Sequence, residues 1–209
     1  EGQGLRQFFV IRGNLENNND GKITYDEDTK SYNGVFYYSN VSYTVSNERY
    51  SQTITKLKEV LNNLDLDGKS DFEKCKIICK WIAKNVKYDE DYFKNPGNCP
   101  RKNAHDMTGA ILDDYAVCDG YANLFHYMAN AAGLTALFEE GDMKGSLSHA
   151  WNLVQIDGTF YYIDCTGISL DKDGDLTNEF LFGQDYMFNI LVTPKNNDIE
   201  NTLFQYFKR

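Results

Sequence analysis

The rhythm of polar and apolar positions changes near residue 46. Before it, QFFVIRG, KITYD and GVFYYSNVSYTV are rich in aromatic and β-branched residues and are separated by Asn, Asp and Gly, which predicts a small antiparallel layer over residues 1–45. After it, apolar residues recur at helical spacing: Tyr50, Ile54, Leu57, Val60 and Leu61 mark a first helix that follows Ser46 and ends near Asp67-Gly68. Ser70 and Glu73 stand at the spacing of a capping box. Phe72, Cys75, Ile78, Cys79, Ile82 and Val86 then form one stripe, so a second helix is predicted over 71–87. Residues 94–104 (KNPGNCPRKNA) hold two prolines and read as a loop before a short helical stretch around 106–113.

From Cys118, the residues Tyr121, Leu124, Phe125, Met128 and Ala132 share one helical face, and Gly133 suits a left-handed stop. ALFEEG, HAWNLVQI and TFYYIDCT read as strands, with Asp157-Gly158 as a two-residue hairpin turn. The tail from 170 to 209 adds one more predicted strand, EFLFG. Helices followed by an antiparallel sheet predict an α+β fold with the helices packed on one side of the sheet. Residues 1–45 are too few to bury a core alone, so they read as an N-terminal β extension of a domain spanning 46–209.

Charge narrows the function. Thirty-one acidic residues against 21 basic ones give a net charge of −10, and no run of Lys or Arg could neutralise a phosphate backbone, which argues against nucleic acid. The apolar runs are far shorter than the roughly 20 residues a membrane span requires. Glu1 leaves room for a cleaved leader, and the expected location is extracellular or at the cell surface, with the cytoplasm as the alternative. Five cysteines are an odd number, so even full oxidation leaves one free thiol.

That thiol points to Cys118. A helix N-terminus favours a thiolate through its unsatisfied amides and positive dipole end. Cys75 and Cys79 lie on an apolar stripe and Cys99 lies in a loop, so these three read as structural. A thiol nucleophile needs a base, and the chain has only His105, His126 and His149. His126 follows Cys118 by eight residues on one helix, a rise of about 12 Å, and is out of reach. His105 sits in an irregular segment whose geometry leaves it open, but the hairpin favours His149. With Asp157-Gly158 as the turn, Ile156 pairs with Thr159, Trp151 lies opposite Asp164, and His149 and Asp164 become diagonal neighbours on one face. Asp164 can then orient the imidazole, while Cys165 points to the other face. Trp151 shares the His149 face and is a candidate to shield the imidazole or border the substrate site. The backbone N–H of Cys118 would be one oxyanion donor, and a second is left open.

The segments AVCDGYANLF, SHAWNLVQIDGTFYYIDCT and MTGAILDDYAVC resemble the core of the transglutaminase-like superfamily of papain-fold cysteine enzymes, over about residues 70–190. FEKCKIICKWIAKNVKYD resembles the helix preceding that family's nucleophile, and EFLFGQDYM its downstream strand. In the family, a Cys opening a helix, the His of HAWN and the Asp of D-x-T form a triad; the resemblance gives those roles to Cys118, His149 and Asp164. It implies a papain-like transglutaminase core that needs no cofactor and acts on peptide or protein amides. An amine acceptor would give transglutamination and water would give hydrolysis, which the compact domain favours. The alternatives are a peptide-binding module without turnover and a zinc site built from Cys118, His149 and Asp164.

Two further motifs carry acidic side chains. Glu16–Glu27 (ENNNDGKITYDE) partly fits a calcium loop, but Glu16 stands where Asp is usual and both flanks read as strands, so an Asn-Asp-Gly hairpin is preferred. Asp171, Asp173 and Asp175 form a weaker acidic loop that reads as solvated. No metal enters the expected mechanism.

Overall fold

The computed structural model describes residues 24–26, 31–33, 45–95, 98, 101–143, 148–176, 181 and 192–194. By its internal contacts the chain divides into two units, Glu1–Tyr50 and Ser51–Arg209. In the first, β1 (Thr24–Asp26) pairs antiparallel with β2 (Ser31–Asn33), Tyr25 opposite Tyr32. QFFVIRG, GVFYYSNVSYTV and most of the Glu16–Glu27 loop lie outside the described residues.

Helix α1 (Asn47–Asn63) starts after Ser46, whose Oγ accepts the Arg49 amide at 3.2 Å, and buries Thr53, Leu57 and Val60. Helix α2 (Asp71–Asn85) opens with the capping box its sequence predicts: Ser70 Oγ accepts the Glu73 amide at 3.3 Å, and the Glu73 carboxylate accepts the Ser70 amide at 3.0 Å. Cys75, Ile78, Cys79 and Ile82 are fully buried. Phe72, counted with that stripe from its spacing, is instead 45% exposed, because it lies in the first turn, short of the packed positions.

The predicted C-terminus of α2 at residue 87 also needs correction. Val86 turns extended (φ −110°, ψ 132°), and β3 (Lys87–Tyr88) pairs in parallel with β4 (Tyr115–Ala116). Between them, helix α3 (Glu90–Lys94) is capped by Asp89, whose Oδ1 accepts the Tyr92 amide at 2.9 Å. The stretch predicted around 106–113 becomes a π-helical turn at Gly109–Asp113, ending on Asp114 in the left-handed region at φ 60°. It hands the chain to β4 and, one residue later, to α4 (Cys118–Ala131).

The main sheet has the order β7-β6-β5-β8 and is antiparallel throughout, from β5 (Thr135–Met143), β6 (Ser148–Ile156), β7 (Thr159–Ile163) and β8 (Val192–Pro194). Asp157 and Gly158 both have positive φ, 49° and 83°, which makes the β6–β7 connection the type I′ turn that right-twisted strands accept, and Ile156 pairs with Thr159 as predicted. TFYYIDCT does not continue as strand to its end: β7 stops at Ile163, and Cys165–Gly167 form a 3₁₀ turn capped by Asp164. EFLFG lies outside the described residues apart from Leu181, which is not in a strand.

Helix α4 packs Leu124, Phe125 and Met128 into the core, all fully buried, each contributing about 1.5–3 kcal/mol by area removed from water. Residues 150–154 of β6 are all buried, so this central strand is covered on both faces. One polar side chain in that stretch joins helix to sheet: Asn152 Nδ2 donates to Ala122 O of α4 at 3.0 Å and to Leu137 O of β5 at 3.1 Å. The fold is α+β, with an antiparallel sheet against helices that meet it at the start of α4.

Candidate active site

Cys118 is the first residue of α4, and Val117 ahead of it offers no side-chain cap. The Gly120 amide donates to Asp119 Oδ1 at 3.1 Å, while the Cys118 amide at the helix start is left for another acceptor, an electrostatic setting a thiolate favours. The helix start is held from three sides. Val117 N–H donates to Ala104 O at 2.9 Å, and buried Tyr121 donates its hydroxyl to Val86 O at 2.9 Å, tying the first turn to the end of α2. At Gly120 any side chain is excluded: a Cβ there would stand 2.5 Å from Ala104 O and 2.8 Å from the Ala116 Cβ. The glycine of the Cys-Asp-Gly-Tyr motif is thus a packing requirement that brings Cys118 close to the preceding segment.

His149 comes from β6 and Asp164 from the residue after β7. His149 Nε2 donates to Asp164 Oδ2 at 2.7 Å, and Asp164 Oδ1 accepts the Thr166 amide at 3.0 Å, which fixes the carboxylate from behind. Cys118 acts on the same imidazole; with Nε2 occupied by the carboxylate, Nδ1 is the ring nitrogen left for a further partner. Burial works against a charged imidazole here. The hydrogen bonds to Asp164 and Cys118 and their negative charges outweigh it, and His149 is pushed up to about 10. The ring stacks on Trp151, centroids 6.2 Å apart and planes 26° from parallel.

The structure thus brings together Cys118, His149 and Asp164. Trp151 lies beside them but is fully buried, packed with Leu153, Phe160 and Tyr162, and its indole N–H has no hydrogen-bond partner among the described residues. What it offers His149 is the face of its ring. His126 lies two turns along α4 from Cys118, and burial lowers its pKa. His105 pairs through Nδ1 with Asp119 Oδ2 at 2.6 Å and meets the edge of Tyr92 at 5.0 Å. Cys75, Cys79 and Cys165 are buried free thiols, and burial pushes the Cys79 and Cys165 thiols up; Cys99 lies outside the described residues.

The zinc alternative does not match this geometry. The three side chains form a relay, and no group of three or more His, Cys, Asp or Glu converges to hold a metal ion among the described residues. In the acidic loop, Asp171 Oδ1 accepts the amides of Asp173 and Asp175 at 2.8 and 2.9 Å, and Asp175 pairs with Lys80, so the loop closes on itself.

Spacing alone missed the scaffold before the nucleophile. Arg101 donates to both oxygens of buried Asp89, at 2.6 and 2.7 Å, and lies over the Tyr115 ring at 4.5 Å. The guanidinium hydrogen bonds hold the Asp89 carboxyl below the usual range, against the cost of burial. No local signal links Asp89 to Arg101, because the pairing spans a proline-containing loop. No helix among the described residues is long and apolar enough to cross a membrane.

The kyphoscoliosis peptidases of Mus musculus and Homo sapiens are each 28% identical to the chain, over 143 and 137 residues. Each match covers 60% of this chain but only 21% and 20% of the relative, so the shared stretch spans about a fifth of those proteins. A solved TGase structure, 18% identical, superposes over 70% of this chain and 38% of its own with a TM-score of 0.53, a likeness of fold. The sequence pattern of the Transglutaminase-like superfamily matches residues 58–165, from within α1 through the nucleophile helix and the histidine strand to the residue after Asp164. The chain belongs to the transglutaminase-like superfamily.

Proposed function

We propose that the chain is a thiol acyl-transfer enzyme acting on peptide or protein amides. Cys118 thiolate attacks the amide carbonyl, His149 gives its proton to the leaving amine, Asp164 orients the imidazole, and water or an amine resolves the thioester. The observation that supports this most is His149 itself, held by the Asp164 carboxylate at 2.7 Å and raised in pKa by Asp164 and Cys118 together. An imidazole that keeps its proton to about pH 10 has that proton to donate at neutral pH. Between the two outcomes we favour hydrolysis, in line with the peptidase names of the mouse and human relatives.

Iodoacetamide at neutral pH tests the reading. Cys118 is partly exposed while Cys75, Cys79 and Cys165 are buried, so among the described cysteines preferential labelling of Cys118 follows from access alone. The informative result is its dependence on the imidazole. We expect alkylation of Cys118 to collapse in His149→Ala, whereas unchanged labelling overturns the acyl-transfer reading in favour of a peptide-binding module on the same fold. Profiling a peptide library with and without a primary amine then separates hydrolysis from amine transfer.

A further inference from the structure

The acyl-transfer reading, on which this inference rests, leaves one charge unaccounted for. As the Cys118 Sγ–carbon bond forms, the carbonyl π pair moves onto oxygen. The resulting oxyanion needs donors until it collapses, re-forming C=O and breaking the C–N bond as the amine takes the proton of His149. One donor is the backbone N–H of Cys118, at the uncapped start of α4. We infer that the second is the hydroxyl of Tyr88.

Three observations converge on it. The parallel pairing of β3 with β4 sets Tyr88 opposite Ala116, two residues before Cys118, and the Asp89 amide locks that register by donating to Ala116 O at 2.9 Å. The Tyr88 ring stacks on Tyr121, centroids 6.5 Å apart and planes at 27°. Tyr121 is three residues after Cys118 and so shares its helical face, and its own hydroxyl is anchored on Val86. Phe93 packs against Tyr88 at 6.0 Å, so the ring is held over the first turn of α4.

The charges of Cys118, Glu90, Asp119 and Asp164 also act on the Tyr88 phenol. Burial, reinforced by those negative neighbours, pushes it up to about 12, so it stays a protonated donor wherever the triad works. Its hydroxyl has no hydrogen-bond partner among the described residues and is available to a ligand. The Trp151 indole N–H is sealed within its apolar cluster, and the Thr166 hydroxyl, also without a hydrogen-bond partner among the described residues, is buried on the Asp164 side of the triad.

The substitution Tyr88→Phe removes the hydroxyl and keeps the stacked ring. Two probes of the intact protein separate the roles. Acylation by p-nitrophenyl acetate, read as a burst of p-nitrophenolate above a Cys118→Ala background, passes through an oxyanion; alkylation by iodoacetamide is a displacement at a saturated carbon and does not. We expect acylation to slow by roughly a hundredfold while alkylation of Cys118 is unchanged. Wild-type acylation overturns the assignment, and so does equal slowing of both reactions, which would make Tyr88 a support of the triad. Failure of the underlying reading looks different: the wild-type protein itself then gives no burst that depends on Cys118.

Discussion

Two histidine–aspartate pairs reach the segment around Cys118, and by distance they are nearly identical: His149 with Asp164 at 2.7 Å, and His105 with Asp119, the residue after the cysteine, at 2.6 Å. What separates them is solvent and the influence of the thiol. The His149 side chain is 15% exposed, against 53% for His105. Each carboxylate accepts one backbone amide, Asp164 from Thr166 and Asp119 from Gly120, but only the His149 imidazole is raised by the cysteine as well. A hydrogen-bonded pair in water is only weakly coupled, whereas the same pair shielded from solvent and aligned on a nucleophile can hold a proton far from its ordinary pKa. A short His–Asp distance is therefore no sufficient sign of a catalytic dyad.

Neutralising each carboxylate in turn is the sharpest way to break this comparison. In Asp164→Asn the imidazole loses the acceptor that sets its orientation, and the Cys118-dependent acylation rate is expected to fall by about 10²–10⁴-fold. Asp119→Asn should leave the rate near that of wild type. Comparable losses in both variants, measured with the same ester probe, would erase the distinction drawn here.

A second variant tests the backbone that the two pairs share. Gly120 meets Ala104, the neighbour of His105, so Gly120→Ala must push the first turn of α4 away from that segment. An unfolding free energy lower by about 1–3 kcal/mol is expected, with slower alkylation of Cys118. Stability and reactivity both at wild-type levels would show that the close approach is not required.

The most gradual effect is that of pH. The folded pKa of His149, about 10, lies above its ordinary 6.5, so the native state holds this proton more tightly than the unfolded chain. The stability this contributes is complete below pH 6.5 and is lost as the pH rises through about 10. The difference in denaturation midpoint between wild type and His149→Gln should therefore shrink over that window. A difference that stays constant across it would contradict the raised pKa.

Much of the site was legible because its parts are local. The parity argument that puts His149 and Asp164 on one face needs only a two-residue turn, and Asp157 and Gly158 supply it. The start of α2 could be read from Ser70 and Glu73, since a capping box closes within a single turn. Less was legible where one local rule met another. The β-branched and aromatic pattern of TFYYIDCT predicts strand beyond Ile163 because it does not reveal that Asp164 caps a 3₁₀ turn.

From the amino-acid order alone came the helix and strand types of the core, the register of the β6–β7 hairpin and the choice of Cys118 over the thiols on an apolar stripe. Only the tertiary structure decided that Val86 leaves α2 to begin a parallel pairing with residues nearly thirty positions on, that Asp89 meets Arg101, and that Tyr88 stands over the nucleophile helix. The division has a physical cause: capping and hairpin turns are satisfied by near neighbours, so their signals sit side by side in the chain. Pairing across a long loop becomes favourable only after the whole segment has closed, and no short stretch of sequence records that.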